Sequence, residues 1–205
     1  MHRSKLWPLA LAAVVLAPAT VLAKRNDPNI QLAYTPTTEV AEASSVPTSE
    51  MRAVPAAIEL EDDRAVDKAM IGTRTDDDDR RIELRATSDV GAFVEAALIQ
   101  QAREWSYVIA DPDEAKVVLA IKLTQFTVDE TNQALGATFE ARCTLEVELR
   151  RSGAKQWSGV FNGDASRYGK KYSAENINEV LSDALAEAFA NALNDSGLRS
   201  AWKGE

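Results

Sequence analysis

Cysteine and histidine each occur once in this 205-residue chain, as Cys143 and His2. A single thiol closes no internal disulfide, whatever the compartment. With His2 at the extreme start, the rest of the chain has no imidazole for a Ser–His or Cys–His couple, or for a histidine-ligated metal. Basic charge is also short. The 23 Lys and Arg stand against 32 Asp and Glu, for a net charge of −9. Such a balance is repelled by nucleic acid and by anionic membrane surfaces. No apolar run beyond the first residues approaches the about 20 residues that a membrane-spanning helix needs. No catalytic residue, cofactor or metal site is expected from this inventory.

What is present begins with a leader-like start. His2, Arg3 and Lys5 form a basic opening, residues 6–16 are an apolar run, and Val21-Leu22-Ala23 puts small or aliphatic side chains before a cut between Ala23 and Lys24. The run is short for a spanning helix, so 1–23 reads as a secretory signal, with an uncleaved anchor as the other outcome. A bacterial lipoprotein needs a cysteine at the cut. Lys24 stands there instead, and the one thiol is far downstream at Cys143. Lipid attachment at that point is therefore not expected, and the exported chain reads as periplasmic without a stable membrane span. Residues 24–55 hold many Pro, Thr, Ser, Ala and Glu without a steady apolar period, and read as a flexible linker.

The folded part is expected over 56–203 as one domain. Its strongest pattern is 139–150. Phe139, Ala141, Cys143, Leu145, Val147 and Leu149 alternate there with Glu140, Arg142, Thr144, Glu146, Glu148 and Arg150. Strand side chains alternate between faces, so this stretch has one dry and one wet side, and belongs to an antiparallel or mixed sheet covered on one side only. Long strands at 117–128 and 155–168 flank it. A polar connection at 129–136 and a turn at Ser152-Gly153 make the three a meander. Shorter strands are expected at 57–60, 69–74, 82–86 and 105–110. The acids at 76–79 lack the alternate ligand spacing of a calcium loop and read as a solvated turn.

Two helices complete the pattern. Thr87-Ser88-Asp89 caps a helix over 90–104, and Ser173 caps one over 174–194 that ends near Gly197. The second has a continuous stripe of Ile177, Val180, Leu181, Ala184, Leu185, Ala188, Phe189, Ala192 and Leu193. The expected architecture is α+β, a two-layer sandwich with a mostly antiparallel sheet of about five strands and two helices on one face.

Local stretches carry a family likeness. They are 81–90 leading into the first helix, 104–109 after it, 115–123, and 178–186 in the closing helix. On these the chain resembles the YajG-type family of bacterial envelope lipoproteins over roughly 56–203. The resemblance implies an α+β domain of the periplasm or outer membrane, with no catalytic residues to carry over. The missing cysteine after the leader departs from the family and favours a soluble version.

Three kinds of function are weighed. The first is a non-enzymatic accessory protein that binds an envelope protein or a cell-wall component. It would use an exposed strand edge or the wet side of the central strand, at Glu140, Arg142, Glu146, Glu148 and Arg150. The second is a hydrolase with two carboxylates drawn from Asp62, Asp63, Glu130 and Asp164. The third is a small-ligand or lipid carrier, with Phe93, Trp157, Phe161 and Phe189 lining a cavity between helices and sheet.

Overall fold

The computed structural model describes residues 27–37, 49–76, 78, 80–133 and 136–204. In chain order the elements are β1 (Asn29–Ile30), α1 (Ser49–Arg52), β2 (Ala56–Asp62), β3 (Met70–Thr75), β4 (Arg81–Ala86), α2 (Val90–Glu104), β5 (Val117–Gln133), β6 (Gly136–Arg151), β7 (Ala154–Lys170), α3 (Ala174–Asn194) and α4 (Ser196–Lys203). The leader expected at 1–23 and the cut expected between Ala23 and Lys24 lie outside the described residues.

The long meander β5-β6-β7 forms as expected, antiparallel throughout. The polar stretch 129–136 is not a separate connection. β5 runs on to Gln133 and β6 begins at Gly136, because Glu130 turns inward to an ion pair with Arg74 at 3.6 Å while its neighbours face water. The sheet has seven strands rather than five, in the order β1-β4-β3-β5-β6-β7, and β2 also pairs with β5. It is mixed but mostly antiparallel, as expected, through the β3-β4, β5-β6 and β6-β7 pairings. β2 and β3 lie end to end along the same side of β5, both parallel to it, and β1 is parallel to β4.

Two devices allow one strand to accept two partners in tandem. Arg64, 3% exposed, staples the intervening loop. It donates to Asp62 Oδ2 (2.8 Å), to the Lys68 carbonyl (2.5 Å) and to the Met70 carbonyl (2.8 Å). Gly72 then has φ +147, and a Cβ there would lie 1.8 Å from the Val128 carbonyl oxygen. Only glycine lets β3 approach β5 so closely.

α2 and α3 cover the same face of the sheet, and one apolar core lies beneath them. Trp105 stacks on Phe189 (5.7 Å between centroids) and Phe93 meets Phe126 (6.2 Å). Each large apolar side chain so buried contributes about 1.5–3 kcal/mol. Asp89 and Ser173 cap these helices through the N–H groups of Ala92 and Asn176. The chain has four helices among the described residues rather than two. α3 does not stop at glycine. Asp195 closes it and at once caps α4, accepting from Leu198 N, while Gly197 sits inside α4. The strand expected at 105–110 shrinks to one bridge between Ile109 and Ala56, because Ser106 takes a left-handed backbone (φ 67) directly after α2.

The linker expected over 24–55 is corrected in part. Residues 27–37 form a strap across α3. Asn178 Nδ2 donates to the Gln31 carbonyl (3.0 Å), Thr35 N–H to Ser182 Oγ (2.9 Å) and Thr37 N–H to Asp183 Oδ1 (2.7 Å). Ile30 and Leu32 are buried, and so is Met51 of α1. Asn178, Ser182 and Asp183 on the polar side of α3 are thus buried, with the strap's backbone supplying their partners.

Candidate interaction groove on the open sheet face

β2, β5, β6 and β7 lie side by side, with one face turned away from the helices. A groove of about 570 Å³ lies there. Small side chains, Ala120 on β5 and Ser158 on β7, leave the hollow. Glu59 and Glu61 of β2, Lys122 of β5, Glu146, Glu148 and Arg150 of β6, and Lys155 of β7 surround it.

These charges hold one another. Lys122 lies 3.5 Å from Glu61 and 3.7 Å from Asp63. Arg150 meets Glu148 at 2.7 Å and Glu59 at 3.8 Å, and Lys155 meets Glu148 at 3.2 Å. Bonds from Arg150 and Lys155 keep the Glu148 carboxyl below the usual carboxylate range. The charges of Glu61 and Asp63 raise Lys122. Lys122, Glu148 and Arg150 are each held toward their charged forms, so the groove offers placed charge of both signs.

Of the five wet-side residues singled out on the central strand, Glu146, Glu148 and Arg150 line this groove. Glu140 and Arg142 share their face but lie further along β6, with Arg142 3.8 Å from Asp164 of β7. The carboxylates considered for hydrolysis do not converge. Asp62 is tied to Arg64 and Lys68, Asp63 to Lys122, Glu130 to Arg74 on the helix-covered side, and Asp164 to Arg142 on the open side. Burial pushes Asp62 up, but its bonds to Arg64 and Lys68 outweigh this and leave it below its usual value. Among the described residues no cluster of His, Cys, Asp and Glu could hold a metal ion. The four aromatics considered for a carrier cavity pack on other rings, Trp157 on Phe161 at 5.7 Å and the others as above.

A second hollow of about 420 Å³ lies beside β2, under Glu95, Ile99 and Arg103 of α2. The bridge partner of β2 ends there at Pro112, which has no N–H with which to continue a ladder.

A family model described as an uncharacterized lipoprotein matches residues 41–203. The chain belongs to this lipoprotein family. Comparison with curated proteins gives no match. Among solved structures the chain is similar to protein XCC0632 of Xanthomonas campestris, with 13% identity and a TM-score of 0.51, covering 80% of this chain and 90% of that one. It is also similar to a candidate lipoprotein of Caulobacter crescentus CB15 (15% identity, TM-score 0.44, 82% and 98% covered) and to a minor lipoprotein of Acinetobacter baumannii (13%, 0.35, 79% and 92%). The first of these supports the fold. The family likeness read from the sequence therefore holds. In this family member Cys143 is fully enclosed between sheet and helices, and burial pushes its thiol far up. It is a packing residue, not an acceptor for lipid. No helix among the described residues is long and apolar enough to cross a membrane.

The strap and the Arg64 staple were not anticipated. The strap had a visible signal, since Ile30, Leu32 and Tyr34 alternate with polar or small residues. Arg64 had none, being one arginine among many charges.

Proposed function

We propose that the protein is a non-enzymatic accessory protein of the bacterial cell envelope. It holds another envelope protein or a cell-wall component against the open face of its sheet. The observation that carries this is the four-strand groove, a hollow lined by fixed charge of both signs. Such a surface is suited to contact rather than to reaction, because polar groups already placed by their neighbours lose little freedom on binding. The leader at 1–23 and the lipoprotein family support a periplasmic setting in a Gram-negative cell.

The test is photo-crosslinking in intact cells. A photoreactive residue replaces Ala120, at the floor of the groove, or Gln100, exposed on α2. A discrete product is expected from position 120 and none from position 100. It should disappear when Lys122→Glu and Arg150→Glu are combined. Equal labelling from both positions, or labelling at 120 that survives the charge reversals, refutes the reading.

A further inference from the structure

β7 ends the sheet, so alternate residues turn their N–H and C=O away from β6. Toward the C-terminal end of the strand some of these groups are capped. Asp164 N–H donates to Glu187 Oε2 at 2.8 Å, the Asn162 carbonyl accepts from Asn191 Nδ2 at 2.9 Å, and the Ser166 carbonyl accepts from Arg167 Nη1 at 3.0 Å. The capping stops at Asn162. Two and four residues earlier, in the same phase, come Val160 and Ser158. Among the described residues nothing caps their backbone groups, and Val160 is 60% exposed.

Around this open stretch the sequence is symmetrical in kind. Trp157-Ser158-Gly159-Val160-Phe161 carries an aromatic ring two residues to either side of Gly159. Both rings lie on the helix-covered face, stacked on each other and only partly buried. Ser158 and Val160 line the open-face groove. We propose that a second copy of this chain occupies the edge, pairing β7 to β7 antiparallel about a two-fold axis at Gly159. In that register Ser158 of each copy faces Val160 of the other, and each pair exchanges N–H···O bonds. Trp157 of each copy comes opposite Phe161 of the other, closing over the half-covered rings. Lys155 comes beside Asn162 and Asp164 of the second copy, a cation near a carboxylate on both sides of the axis. One patch used twice gives a contact that closes at two copies. The two sheets become one, and their grooves join into a single trough. The pairing holds whatever the groove binds, so its failure leaves the accessory reading standing.

Sedimentation equilibrium tests it, between about 1 μM and about 1 mM, the span of modest affinities. A mass rising to twice that of the single chain is expected. Proline at 160 loses an N–H that points away from β6, so a lone copy keeps its ladder. Val160→Pro should give the single-chain mass with an unchanged circular dichroism spectrum. Val160→Lys, which leaves the backbone intact, should do the same. Mild oxidation of the double variant Ser158→Cys, Val160→Cys should trap a covalent pair, since the buried Cys143 takes no part. A wild-type mass that stays single over the whole range, a pair that persists in both position-160 variants, or no covalent pair on oxidation overturns the proposal.

Discussion

Replacing Gly163 by alanine would unseat α3 from the sheet. A Cβ at this position would lie 2.0 Å from the Ala184 carbonyl oxygen and 2.5 Å from the Ala188 nitrogen. Non-bonded heavy atoms rest at about 3.5 Å or more, so the helix must retreat by roughly 1.5 Å at this turn. Helix backbone cannot swing aside as a side-chain tip can. The retreat loosens contacts along the row that includes Leu181, Leu185 and Phe189, all fully buried. Overpacking a core costs about 1–3 kcal/mol, and a backbone collision belongs at the upper end, about 3 kcal/mol. For a chain of this length that corresponds to a fall in Tm of about 6–12 °C. Urea unfolding followed by tryptophan fluorescence and circular dichroism measures it. Gly153→Ala is the control. There a Cβ meets nothing within 4 Å, and only the positive φ of +76 is strained, at about 1 kcal/mol. Gly163→Ala unfolding at the wild-type midpoint, or costing less than Gly153→Ala, would show that α3 is not pressed onto β7 as described.

Asp183 bridges the strap to Arg167, and burial raises its carboxyl against the opposing pull of Thr37 and Arg167. A carboxyl raised in the fold contributes stability below its unfolded value, near 3.8, and loses it as pH rises through the folded value. Wild type should therefore lose Tm relative to Asp183→Asn as pH rises from about 3 to about 6, the Asn side chain still accepting from Thr37 N–H. A difference that stays flat over that range refutes the assignment. Cys143 should react with a soluble thiol reagent only through unfolding, about a thousandfold or more slower than a free thiol. Complete modification within minutes in native buffer would place it elsewhere than beneath α3.

Much of the fold was legible in the sequence, wherever a single period ran unbroken. α2 and the start of α3 fall where cap and stripe placed them, and the alternation in β6 announced a sheet dry on one side. The errors arose where a distant partner decided the outcome. Residues 27–37 look like linker by composition, yet Asn178, Ser182 and Asp183, some 150 positions away, give their backbone a place to bind. The parallel seating of β2 and β3 depends on Arg64 and Gly72, single residues whose meaning appears only once β5 lies beside them. The groove was half readable. Glu146, Glu148 and Arg150 stood on the wet side of β6, but the hollow between them comes from Ala120 and Ser158, which a search for reactive residues passes over.

The tandem seating of β2 and β3 on β5 governs the order in which the molecule can assemble. A chain that emerges N-terminus first delivers both short strands some forty or more residues before their common partner. Ala56, Ala57 and Ile58 then have nowhere to hide until β5 arrives, and a loop spanning that distance must close before either strand is rewarded. Local hairpins, β3-β4 and those of the C-terminal half, can form early, whereas β2 waits as an exposed ribbon until β5 is made.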